Sequence, residues 1–296
     1  MPVLKRILVA TDLSAASQRA VLRAGQLARQ WEANLFLVHA RPDWNLFSRW
    51  RPAAQDSYQD VAKSADEPLR KIVAVIKSEF GVHAQCHSRV GKASNVIAAM
   101  VAELQPHLLV IGARGEHEGL GPNPCLGGTA LKLLMRVETP LLFVRGPGAV
   151  PYSSALVALD VPGTLSRRAV LWGSGLVADG ECHLVHAFDV PYLERMRLQE
   201  VDEVVIERRM RQAEEAANMA VRDALGAAEG RAKLYPEAIQ GEPVSALLGR
   251  IERMAPHLVV IGKSEPQAPQ GQCGPMGGVG FRIAYHAPSD VLVLSS

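Results

Sequence analysis

Glycines clustered after one apolar run are the residues of this chain best suited to bind a ligand. Gly112 and Gly115 follow the run at residues 108–111, and Gly-Gly-Thr at residues 127–129 begins the next helical stretch. Glycines let a backbone approach a phosphate, and a helix N-terminus offers free N–H groups and a partial positive charge. The threonine could cap that helix or hydrogen-bond a phosphate oxygen. The spacing predicts a phosphate-binding loop, although a tight turn without a ligand would use the same residue types.

Two charged side chains accompany these glycines. Asp12 follows the first predicted strand and could accept hydrogen bonds from a ribose or a base amine. Arg114 lies between Gly112 and Gly115, where it could contact a phosphate or be a solvated loop charge. In an open parallel α/β sheet, ligands bind outside the carboxyl ends of the strands. Both side chains therefore lie where a ligand is expected.

The segments that carry these residues occur twice, about 150 residues apart. Residues 105–112 (QPHLLVIG) return as residues 255–262 (APHLVVIG), and three further segments repeat in the same order. The duplication predicts two domains, residues 1–148 and 149–296, each large enough to bury its own core. A short Pro- and Gly-containing linker at residues 146–151 predicts that the domains pack together, and a homodimer is a further expectation.

Each half alternates short apolar runs with helical stretches, a pattern typical of a parallel sheet covered by helices. In the first half we predict strands at residues 6–10, 35–40, 83–89, 108–112 and 141–145. In the second half we predict strands at residues 155–159, 184–188, 234–239, 258–262 and 291–294. The predicted helices are residues 15–31 with Ser14 as N-cap, 56–80 ended by Gly81, 95–104, 129–137 and a long polar helix at 194–225.

An Asp after the first strand, Gly-x-x-Gly after the fourth and Gly-Gly-Thr before the last helix resemble the motifs of the universal stress protein family. The resemblance covers both halves and is similar to the tandem UspE type, in which the halves have diverged. It implies two tandem doubly wound, Rossmann-like α/β domains, each a five-stranded parallel sheet of order 3-2-1-4-5. In some members such a domain binds ATP or a related adenine nucleotide, with magnesium as an accompanying ion.

Carried over residue by residue, the resemblance implies a nucleotide site in the first domain. Thr11 and Asp12 would contact the adenine and ribose, and Ala40 would lie beside the base. The phosphates would contact Gly112, Gly115, Gly127, Gly128 and Thr129, and Arg114 inside the loop either meets a phosphate or is a solvated charge. The family motif has nine residues between its second and third glycines, whereas eleven separate Gly115 from Gly127 here.

The second half departs further from the motif. Glu265 stands where the second glycine would be, and a carboxylate there would repel phosphate in a low-dielectric cleft. Val279 replaces the threonine, and the loop at residues 266–275 is rich in proline, which has no N–H to donate. We therefore expect the second domain to be a poor nucleotide site.

The charge of the two halves differs in the same direction. Residues 1–148 carry 18 Lys and Arg against 12 Asp and Glu, whereas residues 149–296 carry 14 against 18. Three explanations stay open: the first half alone handles an anionic ligand, the two halves have complementary surfaces, or solvated surfaces have drifted apart in charge. No basic run predicts a nucleic-acid groove. The apolar runs are too short to cross a bilayer and no secretory signal is evident, so we expect a cytoplasmic protein without a membrane partner.

No catalytic set is evident in the sequence. A Gly-x-x-x-x-Gly-Lys-Ser/Thr motif is missing, so at most slow ATP hydrolysis is expected and no catalytic residue is predicted. His83, Cys86 and His87 offer pairs of metal ligands without convergence, so no metal site is predicted. We predict a cytoplasmic stress-response protein that binds an adenine nucleotide as a regulatory ligand. The alternative is a scaffold or carrier that uses the aromatic segment 44–50 (WNLFSRW) for an apolar ligand or protein partner.

Overall fold

The structure, a computed structural model, divides into two compact units, of which one ends at Pro151 and the other begins at Tyr152. It describes residues 4–41, 66–114, 125–160, 164–177, 179–190, 193–226, 228, 231–263 and 278–295. Gly115, the aromatic segment 44–50, the predicted helical residues 56–65, and Glu265 with the loop 266–275 lie outside these ranges. The predictions made on them therefore stay predictions.

The first domain is a parallel five-stranded sheet with helices between successive strands. Its strands are β1 (Arg6–Thr11), β2 (Asn34–Arg41), β3 (Ala84–Val90), β4 (Leu108–Gly112) and β5 (Leu141–Val144). They lie in the order β3-β2-β1-β4-β5, and every pairing is parallel. The predicted α/β fold class is confirmed, because short Leu- and Val-rich runs buried on both faces form such a sheet. The first four residues of β4 are all buried.

Four helices of the first domain are described: α1 (Ala15–Trp31), α2 (Asp66–Phe80), α3 (Ala93–Leu104) and α4 (Gly128–Arg136). The first buries Ala20, Ala24 and Leu27 along one face, at the spacing expected of an amphipathic helix. Ser14 is its N-cap, as predicted, and accepts a hydrogen bond from the N–H of Ser17. The predicted stop at Gly81 is also present, because this glycine has a positive φ of 69° that other residues adopt at a cost.

The second domain repeats this architecture. Its strands are β6 (Ser154–Ala158), β7 (Glu181–Phe188), β8 (Lys233–Gln240), β9 (Leu258–Lys263) and β10 (Asp290–Ser295), in the order β8-β7-β6-β9-β10. Its described helices are α5 (Thr164–Leu176), α6 (Leu193–Leu198), α7 (Glu203–Leu225), α8 (Pro243–Met254) and α9 (Val279–His286). All its strand pairs are parallel.

The single long helix predicted at residues 194–225 is wrong, because the chain forms two helices there. Glu200 adopts a left-handed conformation with φ of 52°, which ends α6. Asp202 then caps α7 by accepting a hydrogen bond of 3.0 Å from the N–H of Val204. Because a cap residue follows the break so soon, the start of a second helix is stabilised there.

None of the helices in the described ranges is both long and apolar enough to cross a membrane.

Candidate functional site

The predicted site residues lie at one edge of the first domain, where its parallel strands end. The register places Thr11 of β1 beside His39 of β2, and Gly112 of β4 beside Val144 of β5. Ala40 follows His39 and is half-buried. Strands β1 and β4 are parallel neighbours in the sheet. The turn after β1 and the loop after β4 therefore lie side by side at the same edge. This edge is the ligand-binding edge of doubly wound sheets.

The turn after β1 is held by its own side chains. Thr11 is 5% exposed, and its hydroxyl lies 3.0 Å from the Ser17 hydroxyl and accepts the N–H of Leu13 at 3.0 Å. Asp12 is exposed, and its Oδ1 accepts hydrogen bonds from the N–H of Ser14 at 3.0 Å and from the Ser14 hydroxyl at 2.5 Å. The carboxylate thus fixes the residue that caps α1. Leu13, between them, has a positive φ of 70°, which is rare for a leucine.

A buried histidine ties β2 to this turn. His39 is 8% exposed, and its Nδ1 lies 2.9 Å from the carbonyl oxygen of Thr11. Because a carbonyl can only accept, Nδ1 carries the proton in this contact. His186 in the second domain makes the same contact, at 3.0 Å, with the carbonyl of Leu159. Both histidines are therefore strand-end residues whose Nδ1 holds the preceding turn.

The two ends of the loop after β4 are held together by hydrogen bonds. The N–H of Gly127 donates to the carbonyl of Ala113 at 2.8 Å. The Nε of Arg114 donates to the carbonyl of Cys125 at 3.2 Å. Arg114 is half-buried, so it is not simply a solvated loop charge, and its side chain closes the base of the loop. These two hydrogen bonds fix the position of Gly127 and Gly128 beside the end of β4.

Helix α4 starts directly after this closure with no side chain capping it. Gly127 is the N-cap and makes no side-chain cap hydrogen bond. Thr129 is the second helical residue and is exposed, so it does not cap the helix, contrary to one of its two predicted roles. A methyl group added to Gly128 would meet nothing within 4 Å. The space beside Gly128, at the positive end of the helix dipole, is therefore open.

Gly112 allows α1 to approach this same edge closely. A methyl group there would lie 3.3 Å from the carbonyl carbon and oxygen of Ala16, in the first turn of α1. Two helix N-termini, those of α1 and α4, thus lie beside the end of β4. Helix α1 is already capped by Ser14, so the free N–H groups that suit an anion such as a phosphate are those of α4.

A magnesium ion would find few protein ligands among the described residues of this edge. Asp12 supplies one exposed carboxylate. No group of three or more His, Cys, Asp or Glu side chains that could hold a metal occurs within the described ranges. Magnesium commonly binds through one or two carboxylates together with phosphate oxygens and waters. The residues present therefore fit magnesium only as a companion of a phosphate ligand.

The family described as universal stress protein family matches residues 4–145 and, a second time, residues 151–295. The chain belongs to the universal stress protein family. Both domains of this universal stress protein match separately, so the tandem organisation predicted from the repeat is confirmed.

Solved structures of similar fold come from the same family. A universal stress protein from Archaeoglobus fulgidus DSM 4304 is 17% identical, with a TM-score of 0.68 and coverage of 98% of each chain. A putative universal stress protein from Pseudomonas aeruginosa UCBPP-PA14 is 18% identical, with a TM-score of 0.58, covering 99% of this chain and 93% of that one. A universal stress protein in complex with cAMP is 25% identical over 47% of this chain and 95% of that chain, with a TM-score of 0.34. No curated protein matches this chain significantly.

The second domain of this stress protein has a different edge. Asp160 is exposed, as Asp12 is. Its hydrogen bonds differ, because the backbone N–H of Asp160 donates to the Ser166 hydroxyl at 3.1 Å and the same hydroxyl donates to the backbone carbonyl of Asp160 at 2.7 Å. A methyl group at Gly280 would lie 2.4 Å from the carbonyl oxygen of Gly262. The matched residue in the first domain is Ala130, whose methyl is buried. Helix α9 therefore lies closer to its strand than α4 does.

Sequence reasoning missed several residues of the first edge. Arg41 ends β2, Lys92 is the N-cap of α3, and Arg145 follows β5. All three lie at the carboxyl ends of the strands, where an anionic ligand would meet them. A residue-by-residue comparison of the two sequence copies beyond the glycine motif would have revealed them, because the second copy has no basic residue at these positions.

Proposed function

We propose that this universal stress protein, of the tandem UspE type with diverged halves, binds ATP or a related adenine nucleotide in its first domain as a regulatory ligand in a stress response. The observation that carries the proposal is the open, uncapped N-terminus of α4 beside the base of the glycine loop. Gly127 supplies no side-chain cap, and the space around Gly128 is open. Helix α9 of the second domain also begins at an uncapped glycine, so the restriction to the first domain rests on the loop base that Arg114 closes and on the replacement of motif residues by Glu265 and Val279. A phosphate group would supply the missing acceptor.

The turn after β1 supports the ribose and adenine end of this proposal. Thr11 and His39 hold the turn rigidly, which leaves the exposed Asp12 at a fixed place on the neighbouring strand end. Ala40 is small and half-buried on the next strand, so a flat base could lie against it without displacing a larger side chain. Nucleotides bind across such neighbouring strand ends in doubly wound sheets.

A regulatory ligand fits this edge better than a substrate that is turned over quickly. General-base catalysis needs a group that can take a proton from the attacking water. The Oδ1 of Asp12 already accepts two hydrogen bonds from Ser14. We therefore propose slow hydrolysis at most.

The proposal can be tested with a pair of matched aspartate substitutions. Gly128→Asp places a carboxylate in open space at the start of α4, where it should not disturb folding and would favour the helix dipole. The same carboxylate would repel a phosphate at a short distance. Gly278→Asp is the control, because Gly278 lies at the start of α9 and its surroundings are equally open.

Thermal stabilisation of the full chain by ATP is the readout. A ligand that binds only the folded state at a hundredfold excess over its Kd stabilises it by about 2.7 kcal/mol. We expect ATP to stabilise the wild-type protein and Gly278→Asp, whereas Gly128→Asp should lose most of this effect although its melting temperature without ligand is not lowered. No stabilisation of the wild-type protein, or equal stabilisation of all three, would contradict the proposal. The first of these results would favour the scaffold or carrier alternative, whose aromatic segment lies outside the described residues.

A further inference from the structure

Helices α6 and α7 of the second domain carry the three most exposed large apolar side chains in the part of the chain that the structure describes. Leu198, the last residue of α6, is 84% exposed, and Met219 and Val204 of α7 are 62% and 60% exposed. A single exposed apolar residue is ordinary, whereas several on one surface indicate a site of interaction. We call the exposed face of α7 from Val204 to Met219, together with Leu198, the α7 surface.

The helical repeat places a stripe of exposed residues along one side of α7. The members of the stripe are three or four positions apart, which is the spacing of neighbours on one face of a helix. The residues that α7 buries, such as Ile206 and Val221, lie on the opposite side. The stripe extends over about 22 Å of helix. It consists of Val204, Arg208, Arg211, Glu215 and Met219.

The charges of this stripe are not paired within the protein. In the described ranges, Arg208, Arg211 and Glu215 have no ion-pair partner. Arg211 and Glu215 are four residues apart, but a base that precedes an acid at this spacing is the less favourable order. The more favourable order occurs in α2, the matched helix of the first domain, where the Nζ of Lys71 lies 2.8 Å from a carboxylate oxygen of Glu67. The charges of the α7 surface are therefore available to a partner.

The stripe is complementary to itself when two copies run antiparallel. Val204 and Met219 lie equally far on either side of the midpoint between residues 211 and 212. The same is true of Arg208 and Glu215. A two-fold axis at this midpoint therefore sets Val204 of one copy against Met219 of the other, and Arg208 against Glu215. Arg211, about one turn further along, lies near the same carboxylate.

The mixed charge of α7 decides which class of partner fits it. A nucleic acid or an anionic membrane surface favours a uniformly basic face. The α7 helix carries both signs, because Glu215 follows the two arginines of the stripe. Glu203 at the start of the helix is likewise balanced by Arg222 near its end. An antiparallel copy offers the same charges in reverse order, so acids lie opposite bases in both places.

We propose that the α7 surface is the interface of a homodimer, in which the α7 helices of two copies pack antiparallel about a two-fold axis. A single pair of helices is smaller than a standard protein interface of about 1,600 Å², so the dimer is weak and sensitive to salt. Because the same surface meets itself, the assembly closes at two copies. The inference concerns the second domain and does not rest on nucleotide binding.

Charge reversal on the full-length chain tests the proposal, with the dissociation constant of the dimer measured by analytical ultracentrifugation at low salt. Arg208→Glu combined with Arg211→Glu sets carboxylates of the two copies against each other, and Glu215→Arg sets their cations against each other. Each of these two variants should weaken the dimer at least about tenfold, because attraction becomes repulsion at two symmetric places. Added salt should weaken the wild-type dimer as well.

Recombining the two changes is the sharper step. The variant with all three substitutions has opposite charges across the axis again, so its dissociation constant should return to within about threefold of the wild-type value. An equimolar mixture of the two charge-reversal variants should form a mixed dimer, since one supplies acids where the other supplies bases. A purely structural role of these residues would produce neither result.

Arg70→Glu with Lys77→Glu is the matched control, because it reverses two exposed charges on α2 and leaves the pair of Glu67 and Lys71 intact. It should leave the dissociation constant within about twofold of the wild-type value. Met219→Gln tests the apolar contact without changing a charge, and should weaken the dimer about threefold or more.

A wild-type protein that stays monomeric up to about 1 mM would overturn the proposal. A dimer that the reversals do not weaken, that the control weakens as much, or that the recombined variant does not restore would also overturn it, because the copies would then meet elsewhere. None of these outcomes bears on nucleotide binding, since the α7 surface lies in the second domain and the proposed nucleotide site lies in the first.

Discussion

The helix after the third strand begins differently in the two domains, and the difference shows how a duplicated fold can lose a site. In the first domain Lys92 begins α3 without a side-chain cap hydrogen bond. In the second, the Glu242 carboxylate accepts hydrogen bonds from the N–H and hydroxyl of Ser245 at 2.8 and 2.7 Å. The second domain thus satisfies its helix start with its own carboxylate, whereas the first leaves it open to an external anion.

The helix after the fourth strand differs in the same sense. Gly280 places α9 so close to β9 that a methyl group would meet the Gly262 carbonyl oxygen at 2.4 Å. Ala130 has a methyl at the matched position of α4, so that helix lies further from its strand. Identical strand order therefore does not imply identical ligand capacity, because caps and helix spacing decide whether the edge can accept an anion.

Gly280→Ala tests the close approach of α9 to β9, and of the predicted substitutions it should change the stability of the fold most. The added methyl meets a backbone oxygen that cannot move without displacing β9, so we expect a loss of about 1–3 kcal/mol in the free energy of unfolding. Chemical denaturation of the full chain measures it. The control is Gly249→Ala in α8, where a methyl meets nothing within 4 Å and helix propensity should give a gain of up to about 1 kcal/mol. A gain from both substitutions would mean that α9 does not lie this close to β9.

Exchanging the N-cap residues of α3 and α8 should change the free energy of unfolding by less than Gly280→Ala does, with opposite signs in the two domains. Glu242→Lys removes the acceptor for Ser245, so we expect a loss of about 1 kcal/mol. Lys92→Glu should give a gain of a few tenths to about 1 kcal/mol, because a carboxylate there favours the helix dipole. Denaturation at neutral pH measures both. Destabilisation by both substitutions would contradict the conclusion that the start of α3 lacks a favourable cap.

The pH dependence of the Glu242 cap follows from its hydrogen bonds. The N–H and hydroxyl of Ser245 lower the pKa of Glu242 below its ordinary value of 4.5. A carboxyl whose pKa is lowered by folding stabilises the fold above its unfolded pKa and loses that contribution as pH falls through the folded pKa. The cost of Glu242→Lys should therefore shrink in acid, and a cost that does not depend on pH would argue against the cap.

A histidine at the opposite edge of the sheets gives the smallest predicted effect. The Nδ1 of His107 accepts the N–H groups of Lys5 and Arg6, each at 3.1 Å, whereas the matched His257 accepts the N–H of Ser153 at 3.3 Å. Burial, and then the charges of Arg6 and Lys5, lower the pKa of His107 below 6.5. A histidine kept neutral by folding stabilises the fold above its unfolded pKa, and this is lost as pH falls below that value.

Titration of the His107 ring by NMR tests this directly. We expect a pKa below 6.5 that rises in Arg6→Gln, which removes one of the two positive charges. Replacing His107 by Asn should reduce the loss of stability between about pH 7 and pH 5 by less than about 1 kcal/mol, the value of an ordinary hydrogen bond. A ring that titrates above 6.5 would show that the fold does not favour the neutral form.

Much of the fold could be predicted from the sequence because apolar periodicity and cap residues are local signals. The predicted strand 108–112 coincides with β4, and Ser14 caps α1 as its position before a helical pattern indicated. The break between α6 and α7 could not be predicted in this way, because nothing local distinguishes Asp202 as a cap from an exposed helical acid. The helical pattern simply continues through it.

The site was predicted less well because its side chains depend on contacts between distant segments. Sequence alone placed Asp12 at the ligand-binding edge but could not show that its carboxylate accepts hydrogen bonds from Ser14. Nor could it show that Arg114 closes the loop by bonding to Cys125, eleven residues later in the chain. The glycine motif was evident because glycines have few other roles at such a place, whereas Arg41 resembles any surface arginine until the two domains are compared.

The number of ATP molecules bound by each full-length chain tests the central claim most directly. Calorimetric titration of the wild-type protein should give one site per chain, because the first domain keeps the glycine motif and has Arg114 at the base of its loop, whereas Glu265 and Val279 replace motif residues in the second domain. Gly128→Asp should abolish that site, and Gly278→Asp should leave it unchanged. Two sites per chain, or one site that Gly278→Asp removes and Gly128→Asp does not, would contradict the account.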